Sequence, residues 1–270
     1  MISQIKVLIQ YRHLLWDLAI KDIKVRYRTP TLGFLWAIIV PLIMVFILKF
    51  VFSTILKARV EGYPFFIYIM TAIFPWTYFS SSIGAATESI FSNRDLIKKT
   101  YFPRHIIPVS IVLANLINFI PALIVMILIL AFFSTQFTIL ILWVPVILLL
   151  QTIFTIGLAL IVSSLQVVLH DVKYIVELLL MAWFYLSPGF YSLAMVANFS
   201  EKFLKFYILN PFVGLFCLYR IAFLKGFAKT LPSGVNIYGL SVWTIIVCIA
   251  TFLLGLLVFK RYESRFSDLI

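Results

Sequence analysis

The sequence IIPVSIVLANLINFIPALIVMILILAFF, which covers residues 106–133, contains no charged side chain. An α-helix rises about 1.5 Å per residue, so about 20 apolar residues cross the hydrocarbon core of a bilayer. This run exceeds that length. It therefore predicts a helix that spans a membrane.

Six apolar runs of this kind occur in the chain, at residues 32–52, 65–87, 106–133, 139–168, 172–185 and 240–259. They predict an all-α polytopic membrane protein with six transmembrane helices, folded as a single transmembrane domain over residues 1–270. Spans 1 to 5 occupy residues 32–185, and residues 260–270 form a tail after span 6. The fifth run is short for a full crossing, so it must recruit apolar residues before His170 or after Ser187.

Composition agrees with a membrane location. Hydrophobic residues make up 63% of the 270 residues, charged residues make up 12%, and mean hydropathy is +1.10. One soluble core cannot bury so much apolar surface. The net charge of +12 comes from Lys and Arg residues between the apolar runs, not from a separate basic domain, so no nucleic-acid partner is expected.

The two cysteines and the N-terminal residues argue against a metal or disulfide site and against a cleaved signal peptide. Cys217 and Cys248 are isolated and lack the spacing of a metal site or a disulfide framework, so we interpret both as packing residues. Charged residues interrupt the N-terminus before any apolar run of sufficient length, so no cleaved signal peptide is expected. The first span is expected to carry the targeting signal.

The basic residues predict the orientation of the chain. Short loops rich in Lys and Arg stay in the cytoplasm. With the N-terminus inside, the inner segments hold 14 of the 22 Lys and Arg residues, counted along the printed sequence. Both termini are therefore expected in the cytoplasm.

Residues 1–30 precede the first span and predict an amphipathic helix. Basic residues recur every three or four positions, while Leu15, Trp16 and Ala19 fall on another face. Such a helix lies along the inner membrane surface, with Trp16 at headgroup depth. The residues expected to define this interfacial helix are Trp16, Lys21, Lys24 and Arg28. An ordinary solvated helix is the alternative.

Residues 186–237, between the last two runs, combine helix breakers with many aromatic residues. Ser187-Pro188-Gly189 and Asn210-Pro211 interrupt helices, yet the segment is too aromatic for a solvated loop. Re-entrant outer helices that border the transport path fit this pattern, because non-spanning backbone at that depth must face protein or a water-filled cavity. A helix lying on the outer surface is the alternative. The candidate residues of this outer gate are Tyr185, Phe190, Tyr191, Phe212, Phe216 and Arg220.

The loop SNRDLIKKTYFPR, residues 92–104, predicts a short helix that projects into the cytoplasm. Asn93 is a possible helix cap and Pro103 a stop. Leu96, Ile97 and Tyr101 give the loop an apolar docking surface, which a purely basic topology loop would not require. The candidate contact residues are Asn93, Arg94, Leu96, Ile97, Lys98, Lys99 and Tyr101.

No motif for chemistry occurs in the sequence. There is no GxxxxGK[ST] phosphate loop, no HExxH motif and no paired-carboxylate metal motif, so the chain itself is not expected to be an enzyme, to bind a cofactor or metal, or to hydrolyse ATP. Few ionisable residues lie near or within the apolar runs. Most of them can reach the interface, and Glu177 is the one retained as a candidate for a direct functional role.

Several segments give the chain a family resemblance. They are KDIKVRYR at 21–28, LGFLW at 32–36, Pro41, LIKK at 96–99, FPR at 102–104, Ser187-Pro188, Tyr191, NPF at 210–212, Arg220, Arg261, Glu263, Phe266 and Asp268. In this order and spacing the chain resembles the membrane subunits of ABC-2 type polysaccharide and polyol-phosphate exporters, which move lipid-linked O antigens, capsules and teichoic acids. One departure is His170-Asp171, where such chains often carry Arg-Asp.

The resemblance implies two copies of this chain in a bacterial cytoplasmic membrane, together with two ATP-binding cassette subunits that use ATP and Mg. It also implies that residues 93–101 form the coupling helix and that the segment after Ser187 forms an outer gate. The implied cargo is a lipid-linked glycan, with O antigen favoured over teichoic acid or capsule. A membrane-embedded transferase acting on lipid-linked sugars and a passive channel or scaffold are the competing functions.

Overall fold

A computed structural model gives the fold and describes residues 10–28, 31–57, 60, 62–100, 102–133, 139–263 and 266. Within these residues the secondary structure is helical, with one isolated antiparallel bridge between Val60 and Tyr63 and no strand. The predicted all-α class is confirmed.

The helices are numbered in chain order. They are α1 Arg12–Arg26, α2 Trp36–Leu48, α3 Phe65–Thr87, α4 Ser89–Ser92, α5 Arg94–Lys99, α6 Ile106–Phe132, α7 Val144–Val168, α8 Val172–Tyr185, α9 Leu193–Phe199, α10 Glu201–Tyr207, α11 Pro211–Phe223 and α12 Ile237–Glu263. Helix α2 continues as a π-helix, and 3-10 turns precede α2 and α7 and follow α11. These shorter elements are Lys49–Ile55, Gly33–Leu35, Ile139–Trp143 and Phe227–Thr230.

Four of the described helical segments are long and apolar enough to cross a membrane, namely Gly33–Ile55, Ile106–Phe132, Ile139–Val168 and Ile237–Glu263. Helices α10 and α11 meet at 89° and count as a fifth if they form one broken span. The chain is thus a multi-pass membrane protein with four or five candidate spans by length and composition. Helix α8 has 14 residues, or about 21 Å of helix, which is short for a crossing.

Helices α7 and α12 touch backbone to backbone. A Cβ added at Gly157 would lie 2.6 Å from backbone atoms of Phe252, and one at Gly255 would collide with the carbonyl oxygen of Gly157. Small residues allow this approach, because lipid tails are as apolar as leucine and close packing supplies the association of membrane helices. This contact holds the last helix against the bundle.

We expect Gly157→Ala to lower the stability of the protein by about 1–3 kcal/mol, because the new methyl group must push two backbones apart. Thermal unfolding in detergent measures the change. Gly84→Ala is the matched control, since Gly84 lies in α3 with no heavy atom within 4 Å of an added Cβ. Equal unfolding temperatures for the two variants would contradict the close α7–α12 contact.

Candidate functional site

Two parts of the fold carry the residues of interest. We call the first the basic end. It comprises α1, α4, α5, the start of α6 and the last turns of α12. A separate apolar cluster holds these pieces together, and its buried members include Leu15, Leu18, Ile90, Ile97, Ile106, Ile107, Phe259 and Phe266. The predicted coupling segment is therefore part of a packed unit that includes both ends of the described chain.

Asn93 fastens the coupling segment to α1. Lys21 Nζ donates a hydrogen bond to Asn93 Oδ1 at 3.0 Å, and Asn93 Nδ2 donates to the carbonyl oxygen of Ser89 at 2.9 Å. Asn93 precedes α5, but its side chain makes no capping hydrogen bond there. Asn93 thus occupies the predicted N-cap position with its backbone carbonyl, while its side-chain amide joins two segments that lie far apart in sequence.

Helix α5 turns its apolar side towards its own chain. Ile97 is only 9% exposed and packs in the cluster of the basic end, with Leu96 half-buried beside it. This corrects the prediction that Ile97 belongs to an apolar docking surface of the loop. The exposed residues of the helix are Arg94, Asp95, Lys98 and Lys99. Tyr101 lies outside the described residues.

The C-terminal turns of α12 close the basic end. The backbone N–H of Arg104 donates to Glu263 Oε1 at 3.1 Å, and Arg104 Nη1 donates to the carbonyl oxygen of Glu263 at 2.7 Å. His105 is buried next to the Phe259 ring. Burial lowers the pKa of His105, with Glu263 acting in the opposite direction, so the imidazole is neutral at pH 7.

Helix α1 covers part of residues 1–30, and its apolar residues divide between two sides. Leu15, Leu18 and Ala19 are buried in the bundle, whereas Trp16 is 57% exposed. The other residues assigned to the interfacial helix, Lys21, Lys24 and Arg28, are exposed. Sequence periodicity placed Trp16 with Leu15 on one face, and it could not show that packing against α6 would separate them.

One ion pair joins the end of α3 to the start of α8. Lys173 Nζ lies 2.7 Å from Glu88 Oε1, and both side chains are partly exposed. An exposed pair of this kind contributes little to stability. The pair is informative about topology, because it places the end of α3 next to the start of α8, and both are predicted on the cytoplasmic side. Glu177, one helical turn after Lys173, is exposed.

The second part, residues 186–236, we call the aromatic segment. The side chain of Asn210 connects the start of α11 to the end of α8. Asn210 Oδ1 accepts hydrogen bonds from the backbone N–H of Phe212 at 3.0 Å and from Trp183 Nε1 at 2.9 Å, while Nδ2 donates to Ser187 Oγ at 3.0 Å. The Asn210-Pro211 break was predicted, and it begins α11 with a side-chain cap. The same amide also ties the break to the end of α8.

Most of the predicted gate residues lie together and are buried. Phe212 and Phe216 are fully buried, and the Phe212 ring lies 4.8 Å from that of Trp76 and 5.2 Å from that of Trp183. Phe190 is buried and Tyr185 exposed. The hydroxyl groups of Tyr191 and Tyr207 lie 2.6 Å apart. These contacts join most of the predicted gate residues in one packed aromatic cluster.

Arg220, the one charged residue among the predicted gate residues, is fully buried in this cluster. Its Nη2 donates to the carbonyl oxygen of Gly189 at 2.8 Å, and its guanidinium lies 3.6 Å above the ring of Tyr68. Nε and Nη1 have no hydrogen-bond partner among the described residues. A buried cation with this few partners is energetically costly, so its position calls for an explanation.

A family model decides where this fold belongs. Residues 13–224 match the model described as ABC-2 type transporter, which is more than half of the chain and includes α1, the coupling segment and α11. The chain belongs to the ABC-2 type transporter family. Members of this family are transport components, which agrees with the absence of a nucleotide motif from the sequence.

Curated relatives cover nearly the whole ABC-2 chain. A protein of Myxococcus xanthus named O-antigen export system permease protein RfbA is 31% identical over 247 residues, 92% of this chain and 93% of the relative. A Klebsiella pneumoniae protein of the same name is 33% identical over 251 residues, 93% of this chain and 92% of the relative. The similarity thus includes both the basic end and the aromatic segment.

Sequence reasoning missed one connection inside this ABC-2 transporter. Gln151 is fully buried in α7, where Nε2 donates to the carbonyl oxygen of Pro75 at 2.7 Å and Oε1 accepts from Tyr219 Oη at 2.8 Å. One amide therefore joins α3, α7 and α11. A glutamine in the middle of an apolar run was the available signal, because such a group needs partners in a membrane.

Proposed function

We propose that this chain is the permease subunit of an ATP-driven exporter that moves a lipid-linked polysaccharide of the O-antigen type across the cytoplasmic membrane of a bacterium. The observation that carries the proposal is the similarity to O-antigen export permeases over more than nine-tenths of this chain and of each relative. Teichoic acid or capsule polymer is the alternative cargo within the same family. Those polymers share the lipid anchor and the need for a passage.

The proposed topology has six spans and both termini in the cytoplasm. The spans are α2, α3, α6, α7, α8 and α12, with α9 to α11 forming the re-entrant outer region. The Glu88–Lys173 pair supports this arrangement, because it joins the ends of α3 and α8 that the topology puts on the cytoplasmic side. The cations around the basic end support it as well.

Energy must reach this permease from a partner, and we propose two ATP-binding cassette subunits that hold ATP and Mg. The basic end is the proposed contact surface. Its exposed side carries Arg94, Lys98 and Lys99, which suit an acidic rim, while Ile97 and Asn93 join α5 to the bundle. A movement of α5 driven by the ATPase would thus be transmitted to α1 and α12.

A homodimer is the proposed assembly, because a polymer needs a wider passage than six helices enclose. Helix α8 supports it with an exposed stripe of Tyr174, Leu178, Met181 and Tyr185 at helical spacing. Glu177 lies exposed in the same helix, and a carboxylate facing lipid costs about 2.5 kcal/mol or more if it reaches the bilayer centre. In a homodimer the exposed side of α8 would face the second copy and a water-filled passage, where the carboxylate of Glu177 is more stable than in lipid.

Copurification tests the proposal against its two rivals, a lipid-linked-sugar transferase and a passive channel or scaffold. We expect the tagged permease to bring down an ATPase whose hydrolysis rises when the lipid-linked glycan is added. A transferase would need clustered acids, and the described residues hold no group of three or more metal-binding side chains. Purification of an active glycan-joining enzyme without an ATPase would contradict the proposal.

We expect Trp16 to lie at headgroup depth on the inner surface, because it is exposed beside the cations of α1. A nitroxide attached at Trp16→Cys should therefore collide more often with oxygen than with a water-soluble nickel chelate. The two native cysteines are buried and leave the label specific. A label relaxed mainly by the nickel chelate would instead support a solvated helix.

A further inference from the structure

A buried hydrogen bond attaches α11 to α7. Tyr219 Oη donates to Gln151 Oε1 at 2.8 Å, and Gln151 Nε2 donates in turn to the carbonyl oxygen of Pro75 in α3 at 2.7 Å. Both side chains are fully buried. Lipid tails are as apolar as the helices, so polar contacts of this kind help to determine how membrane helices are placed against one another.

Both ends of α11 are bends in the chain. Helix α10 meets α11 at 89° just before Asn210-Pro211. After α11 the chain turns at Gly226, whose φ of +86° is a conformation that other residues rarely adopt. Helix α11 is therefore a separate unit of 13 residues that is not continuous with a neighbouring helix at either end.

A groove of about 400 Å³ lies beside the second half of α11. Leu218 and Ile221 of α11, Ile147 and Leu150 of α7 and several residues of α12 line it. Leu218 and Leu150 are the chain neighbours of Tyr219 and Gln151, so the hydrogen bond lies next to the groove. Protein interiors contain few voids of this size. On this side α11 is thus incompletely packed, and the hydrogen bond attaches it where apolar contact is reduced.

Arg220, the residue after Tyr219, indicates that α11 has a second position. Its Nε and Nη1 have no hydrogen-bond partner among the residues that the structure describes. Burial of an unsatisfied cation is costly. A position of α11 in which these two groups meet water or a phosphate removes that cost, and it requires α11 to leave its present contacts.

We propose that the Tyr219–Gln151 hydrogen bond holds α11 in the observed position and breaks when α11 moves during transport. Gln151 is then a positioning residue for Arg220, since it acts on the guanidinium through the placement of α11. Gln151 keeps its bond to Pro75 when Tyr219 leaves, so the amide stays ready to bind Tyr219 again. The inference rests on the proposed export function, because it assigns the movement of α11 to the passage of the cargo.

Cys217 is a native probe of this movement. It lies on α11 two residues before Tyr219 and is 1% exposed. Cys248 is the other cysteine of the sequence, and Cys248→Ala removes it to give the parent chain for all variants. The rate at which Cys217 reacts with a water-soluble methanethiosulfonate in proteoliposomes measures how often α11 leaves its packed position.

We expect Tyr219→Phe to raise this rate about three- to tenfold without ATP or glycan, because the ring remains while Gln151 Oε1 loses its partner. Gln151→Leu should raise the rate as well. Tyr78→Phe is the matched control, since the Tyr78 hydroxyl bonds α3 to α7 through Thr152 Oγ1 and makes no hydrogen bond to α11. It should leave the rate unchanged. These rates depend on the permease alone and not on the identity of its cargo.

The transport step is tested on the parent chain in complex with its ATPase. ATP together with lipid-linked glycan isolated from cells that lack this chain should accelerate the labelling of Cys217. Glycan-stimulated ATP hydrolysis with an unchanged labelling rate would contradict the breaking of the bond during transport, whereas absent stimulation would contradict the export function itself. Equal rates for Tyr219→Phe and the parent chain would overturn the inference. So would an equal acceleration by Tyr78→Phe, which would show a general loosening of the bundle.

Discussion

We expect Ile97→Ser to abolish polysaccharide export while the permease still inserts, dimerises and binds its ATPase. Ile97 joins α5 to the apolar cluster of the basic end, and replacing a buried isoleucine with a small polar residue costs about 2–5 kcal/mol or more. The lost free energy weakens only the packing of α5 on the bundle. The exposed surface of α5 would keep its charges, but a movement of α5 driven by the ATPase would no longer be transmitted to the bundle.

Export of labelled glycan and glycan-stimulated ATP hydrolysis measure this loss, and copurification confirms that the complex persists. Ile97→Val keeps most of the buried surface and should export nearly normally. The Leu96→Ser/Ile97→Ser double variant should lose both activities, and Lys98→Ala with Lys99→Ala should have a smaller effect, because exposed rim charges contribute little to an interface and their loss leaves α5 joined to the bundle. Normal export by the double variant in an intact complex would overturn the coupling role of α5 and leave α1 as the next candidate.

We expect Arg220→Met to fold at least as stably as the native chain and to reduce export at least about tenfold. Removing a buried cation that lacks an acidic partner is often stabilising. Among the described residues, Arg220 has one hydrogen bond, to the carbonyl oxygen of Gly189, and its guanidinium lies 3.6 Å from the ring of Tyr68 and 5.9 Å from the rings of Phe216 and Phe227. We infer that the charge is used when the aromatic segment opens and the phosphate of the lipid-linked cargo passes.

Arg220→Lys provides the matched control for charge. Lysine keeps the cation but loses the planar guanidinium that lies over Tyr68, so we expect intermediate export. Export and unfolding temperature should be measured on the same preparations. A marked fall in the stability of Arg220→Met, with export lost only in proportion, would make Arg220 a structural residue and contradict its role in the transport path.

The sequence predicted the positions of the long helices well. The runs at residues 65–87 and 172–185 coincide with α3 and α8, which begin directly after Pro64 and Asp171. Helix α12 extends beyond the predicted run at residues 240–259, since its flanking polar residues remain helical. Hydropathy locates apolar stretches and does not mark where helix formation ends.

The site was predicted less completely, because periodicity shows that a residue is apolar but not what covers it. Ile97 and Trp16 were both assigned to surfaces, and the fold buries one and exposes the other. The contacts of Asn93 with Lys21 and of Gln151 with Tyr219 join residues far apart in the chain. Contacts of this kind depend on tertiary packing, which one sequence does not reveal.

The central claim is that this chain carries a lipid-linked glycan out of the cytoplasm. Spheroplasts from cells that make the glycan but lack this chain test it most directly, with an antibody or lectin that cannot cross the membrane. We predict that the lipid-linked glycan accumulates and stays unlabelled, and that the native chain, but not Ile97→Ser, restores labelling. Chemical analysis of the accumulated lipid would show whether it carries sugar repeats or polyol phosphates. Equal labelling with and without the chain would contradict the account.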